Sequence, residues 1–171
     1  MSLTIRQVVN RLRKYNPVDV HEAMRCIKLP FQFIGEGSFR TVYSIGDLPI
    51  VIKFPTGEDG ETIEENIEHS ANEMDAINQV FERKECSHIR PYVPIMYYYN
   101  KNTGVILSRK YKQTGLRTNH RFCKAAAEEI KDAFQKNLDI YKNFSVNDDG
   151  DVVLIDWGVL GDLTDWTQSE F

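Results

Sequence analysis

Residues 31–55 constrain the fold most tightly. Phe31-Gln32-Phe33-Ile34 has the β-branched and aromatic make-up of a strand. Gly35-Glu36-Gly37-Ser38-Phe39 then forms a turn, and Arg40 to Ile45 forms a second strand. Gly46-Asp47 turns the chain again, and Pro49 to Phe54 makes a third strand. Three short strands in close succession predict an antiparallel meander with a glycine-rich first turn. Without Cβ atoms, Gly35 and Gly37 let backbone N–H groups come close to a phosphate. Lys53 closes the apolar run Ile50-Val51-Ile52-Lys53-Phe54. A lysine in such a strand sits at a sheet edge or points into a cleft, where its ammonium suits phosphate.

A long helix is predicted from Glu61 to Arg83. Ile63, Ile67, Ala71, Met74, Ile77 and Phe81 step along one face, and Glu73 lies beside that stripe. The acidic first turn suits the helix dipole. Tyr92 to Tyr99 and Gly104 to Tyr111 add two strands, giving an α+β chain with a five-stranded antiparallel sheet and one long helix. Lys112 to Thr118 is polar and linker-like. Asn119 to Leu138 is a helix with Phe122, Ala126, Ile130, Phe134 and Leu138 on one face. In Asn143 to Gly158, two short strands flank an Asp-Asp-Gly turn, a hairpin expected to bring Asn143 and Asp156 together. An amide oxygen beside a carboxylate is a hard-oxygen pair suited to Mg²⁺. Ahead of the sheet, Leu3 to Tyr15 and Val18 to Ile27 have helical spacing, divided by Asn16-Pro17. They read either as a helical pair packed on the domain behind them or as a docking arm carrying Arg6, Arg11, Arg13 and Lys14. The expected organisation is thus a helical extension at 1–30, a first lobe at 31–111 and a second at 112–171.

Composition narrows the functional classes. The 171 residues are 42% hydrophobic and 27% charged, with a net charge of −4. A general nucleic-acid binder needs a basic face to displace counterions, and the acidic balance argues against one. No apolar run approaches the roughly 20 residues that span a bilayer. The N-terminus has no secretory h-region, so a cytoplasmic protein is expected. Cys26, Cys86 and Cys123 are scattered and odd in number, which predicts reduced thiols. His21, His69, His88 and His120 share no ligand spacing and are expected at the surface or in caps.

A glycine turn, a strand lysine, a mid-helix glutamate, an Asn and an Asp-Trp-Gly occur in that order, and together they resemble the protein-kinase-like superfamily. The resemblance covers roughly 31–158. Gly35, Gly37 and Val42 match G-x-G-x-x-G-x-V, and Lys53 matches the strand lysine. Glu73 lies twenty residues on, Asn143 precedes Asp156 by thirteen, and Asp156-Trp157-Gly158 stands for D-F-G. The resemblance implies a two-lobed fold with a reduced helical second lobe. It implies ATP and Mg²⁺ as cofactors, with Gly35, Gly37, Ser38, Arg40, Val42 and Lys53 around the nucleotide. Lys53 would pair with Glu73, and Asn143 and Asp156 would hold Mg²⁺.

Departures accompany the match. Arg40 replaces the third glycine, although its guanidinium could itself reach phosphate. There is no H-R-D, and Leu138 occupies the place of the family's catalytic Asp. Asp139 lies one residue out of register and is the candidate general base. Only thirteen residues follow Gly158, with no A-P-E. The chain therefore resembles a minimal kinase-like protein of bacterial-effector or phage type, which would act in a host cytosol, and the resemblance leaves room for an activating protein partner. Two readings stand: a phosphotransferase acting on a protein or small-molecule hydroxyl, or a pseudokinase that binds nucleotide or a partner without efficient catalysis. A third places Ser145, Asn147, Asp149, Gly150 and Asp156 in a calcium loop, with Asp156 where that loop needs Glu.

Overall fold

The computed structural model describes residues 2–37, 39–56, 62–112, 121–135, 144–158 and 160. The chain is α+β and divides into two compact units, 1–70 with 95–110, and 71–94 with 111–171.

The first unit opens with α1 (Ile5–Tyr15) and α2 (Val20–Ile27). Thr4 caps α1 through a reciprocal pair of bonds with Gln7, and Asn16 ends it in the left-handed region. Asp19 caps α2 by accepting from the Glu22 amide, and the Glu22 carboxylate reaches back to the Val18 amide. The polar residues between the apolar positions thus start and stop each helix, while Val8, Val9, Leu12, Ala23 and Ile27 turn inward.

Five strands follow: β1 (Phe31–Glu36), β2 (Thr41–Ile45), β3 (Ile50–Phe54), β4 (Met96–Tyr99) and β5 (Ile106–Arg109). They pair antiparallel in the order β1-β2-β3-β5-β4. β1 runs two residues beyond the expected strand because a bulge at Ile34 lets pairing continue through Gly35 to Glu36. β4 and β5 are shorter than expected. The sheet face bearing Ile45, Ile50, Ile52, Phe54 and Leu107 shares one core with α1 and α2, so the helical pair packs on the sheet as its apolar spacing indicates.

Helix α3 (Ile63–Glu82) gives its first eight residues to the first unit and the rest to the second. Its buried face corrects the expected stripe. Ile63 and Phe81 are 54% and 55% exposed, whereas Asn66, His69, Ser70, Glu73, Ala76, Ile77 and Val80 are buried. The helical period holds, but polar side chains occupy much of the inward face, so counting apolar residues placed that face wrongly.

The second unit contains a 3-10 segment (Lys84–Tyr92), α4 (Arg121–Phe134) and a hairpin of β6 (Phe144–Val146) and β7 (Val152–Leu154). The 3-10 segment replaces the start of the strand expected from Tyr92. Within α4, Ala126, Ile130 and Phe134 are buried as their spacing predicts, while Phe122 is 55% exposed. Trp157 is fully buried, tilts against Phe134 with ring centroids 6.1 Å apart, and donates its indole N–H to the Leu154 carbonyl at 2.7 Å.

Candidate functional site

The first unit aligns three of the expected residues in one row. Gly35 pairs with Val42, Val42 with Lys53, and Lys53 with Ile106. Directly opposed residues project to the same face of an antiparallel sheet. Lys53 therefore shares a face with Val42, opposite the face packed on α1 and α2, and it lies on a central strand. The bulge at Ile34 brings Gly35 into this row, since one extra residue shifts every later position to the other face. Lys53 is only 7% exposed and Arg40 6%. A largely buried ammonium is kept only where polar or charged groups surround it, and a sheet serving only as a scaffold would carry an apolar residue there.

Among the described residues, packing gives neither Gly35 at the end of β1 nor Gly37 in the turn a reason to lack a side chain. Neither has positive φ. A Cβ at Gly35 would meet nothing within 4 Å, and one at Gly37 would come no closer than 4.0 Å to the Arg40 carbonyl. The turn is closed by the Gly37 amide donating to that carbonyl at 2.9 Å. At its tip Phe39 stacks on His69 of α3, with centroids 4.3 Å apart and planes 9° from parallel. Ser38 lies outside the described residues.

The second unit joins two groups that are far apart in sequence. Oε1 of Glu73, a fully buried carboxylate, accepts from the Trp157 amide at 3.3 Å. The helix glutamate thus holds the backbone of the Asp-Trp-Gly turn. Asp156 is partly exposed, and its Oδ1 accepts from the Gly158 amide at 3.0 Å, which tightens the same turn. Asp139 and Asn143 lie outside the described residues. Lys53 belongs to the first unit, and Glu73 and Asp156 to the second.

The hairpin loop rules against the calcium reading. Asn147 Oδ1 already accepts from the amides of Asp149 and Asp151, and Gly150 turns the loop at φ +84. The loop joins two paired strands, not two helices. Among the described residues no group of three or more His, Cys, Asp or Glu side chains could hold a metal ion. No helix there is long and apolar enough to cross a membrane. All three cysteines are free, and burial raises the Cys26 and Cys123 thiols, which makes them poor nucleophiles.

Sequence reasoning missed His69, which was expected at the surface or in a cap and is 8% exposed within α3. It also missed Asn66 and Ser70. Both are fully buried, and their side-chain polar atoms have no hydrogen-bond partner among the described residues. Their i, i+4 spacing ahead of Glu73 was the available signal. No protein-family model and no curated protein matches the chain.

Proposed function

We propose that the protein is an ATP- and Mg²⁺-dependent phosphotransferase with a protein-kinase-like two-lobed architecture, acting on a hydroxyl group. The observation that carries this reading is the row Gly35–Val42–Lys53: a shielded ammonium in line with a glycine turn that packing does not explain. The strand order with α3 between β3 and β4, and the bond from Glu73 to the Trp157 amide, support it.

In this reading the turn amides and Lys53 bind and orient the phosphates, and Arg40 adds a second cation. Glu73 fixes the Asp-Trp-Gly turn and so aims Asp156. A partly exposed carboxylate is a fitting donor for Mg²⁺, with Asn143 as its partner, because this ion takes only one or two protein oxygens alongside phosphate and water. Bound Mg²⁺ would supply charge neutralisation at the transferring phosphoryl group. Asp139 is the proposed base that takes the acceptor proton.

The test is phosphate release from ATP and self-phosphorylation by the full chain with Mg²⁺. Lys53→Ala and Asp156→Ala are each expected to lower the rate by about 10²–10³-fold. Glu73→Gln keeps an acceptor for the Trp157 amide, so it should fold normally and retain activity, whereas Glu73→Ala, which takes that acceptor away, should lose it. Equal signal from wild type and all variants rejects catalysis. A nucleotide-induced rise in Tm without turnover would leave the pseudokinase reading standing.

A further inference from the structure

We propose, on the footing of the nucleotide reading above, that His69 is a positioning residue that clamps the glycine turn through Phe39. Gly37 opens the turn with neither a packing neighbour nor a positive φ to fix its backbone, so a ligand would have to select the conformer it binds. The apparent affinity falls with the fraction of molecules that already hold the binding conformer. A contact that fixes the turn beforehand therefore tightens binding without touching the ligand.

The geometry supplies such a contact. Phe39 lies in the turn that the Gly37–Arg40 bond closes, where an aromatic ring would ordinarily face solvent. Instead its ring lies 4.3 Å from the largely buried imidazole of His69 and nearly parallel to it. Either side of the turn is anchored within the same unit. β1 before it and β2 after it are paired in the sheet, and the Thr56 hydroxyl donates to the Thr41 hydroxyl at 3.3 Å, tying the start of β2 to the end of β3. The tip is the part left to be held, and the Phe39–His69 stack holds it against α3. His69 touches no phosphate in this account; it acts on the turn through Phe39.

Two readouts on the full chain test the proposal. The first is amide hydrogen exchange across 31–45 without nucleotide. The second is the Kd of a non-hydrolysable ATP analogue with Mg²⁺. An aromatic pair contributes enough that His69→Ala and Phe39→Ala should each speed exchange and weaken the analogue by about 2- to 12-fold. The double variant should be no worse than either single one, because both remove the same contact. His69→Phe, which restores a ring, should recover protection and affinity. Phe39→Ala, altering a half-buried turn residue, keeps the test open if His69→Ala fails to fold. Additive effects, or unchanged exchange in folded variants, overturn the clamp. Faster exchange with unchanged analogue affinity overturns its role in binding. If the wild-type chain binds no analogue, the nucleotide reading falls, and with it the binding role, while exchange still decides the clamp.

Discussion

Tyr92 shows how one side chain reports on the packing of the second unit. Its hydroxyl donates to Glu129 Oε2 at 2.9 Å, joining the 3-10 segment to α4. Desolvation, followed by the hydrogen bond to the carboxylate and that group's charge, pushes the phenol up to about 12 from its ordinary 10.0. The folded chain holds this proton more tightly than the unfolded chain, so the associated stability is complete below pH 10 and is lost as pH rises through about 12. Urea midpoints are expected to fall over that interval, with Tyr92→Phe showing a shallower fall. At pH 8 the variant should cost about 0.5 kcal/mol, the low end for a hydrogen bond, because Tyr92 is only partly shielded and Glu129 is exposed. Midpoints with the same pH dependence in both proteins would refute the assignment. Glu73 carries the complementary lesson. Its place after Lys53 marked it in the sequence, while its bond to the Trp157 backbone amide did not show there, because backbone donors leave no trace in residue identity.

The glycines separate shape from chemistry at the scale of elements. Gly104 has φ +73, and an added Cβ would come within 3.1 Å of Ile67 on α3 and 3.2 Å of Pro55. Gly104→Ala therefore combines backbone strain with overpacking and should cost about 2–4 kcal/mol in thermal unfolding. Gly35→Ala meets neither obstacle and should stay within about 0.5 kcal/mol of wild type. If its turn approaches phosphate, nucleotide affinity should nonetheless fall; equal destabilisation by both substitutions would show that Gly35 is structural after all. The strands were legible because alternation and turn chemistry are local. The inward face of α3 was not, because Asn66, Ser70 and Glu73 lie where periodicity expects apolar groups. The 3-10 segment was equally hidden. Arg90 from that segment donates to the Val80 and Phe81 carbonyls at the end of α3, a cap contributed from outside the helix.

Across the molecule, residues 1–30 read from sequence as a helical extension either packed on the domain behind it or serving as a docking arm, and the core runs through both the helices and the sheet. Leu12 is fully buried among Ile45, Ile50, Ile52, Phe54 and Leu107, and the Tyr98 hydroxyl on β4 donates to its carbonyl at 3.4 Å. Arg11 reaches the Ile27 carbonyl at 2.6 Å, and Asn100 in the β4–β5 turn donates to Asn16, so the helical pair is bound both to itself and to the sheet. The apolar spacing of the helices offered this packing, but it could not say what lay against them, since period describes each element and not its neighbours. The candidate site shows the same limit: its residue types and order were readable, whereas the Phe39–His69 stack and the Trp157 amide bond belong only to the folded chain. Removing residues 1–28 should therefore uncover one face of the sheet and leave a chain that binds ANS and lacks a cooperative thermal transition. Leu12→Ala should cost about 2–5 kcal/mol, against at most about 0.5 for the exposed Arg13→Ala. A shortened chain that unfolds cooperatively, together with a mild Leu12→Ala, would mean that the sheet is stable without the helices. The helices would then be free to serve as a docking arm.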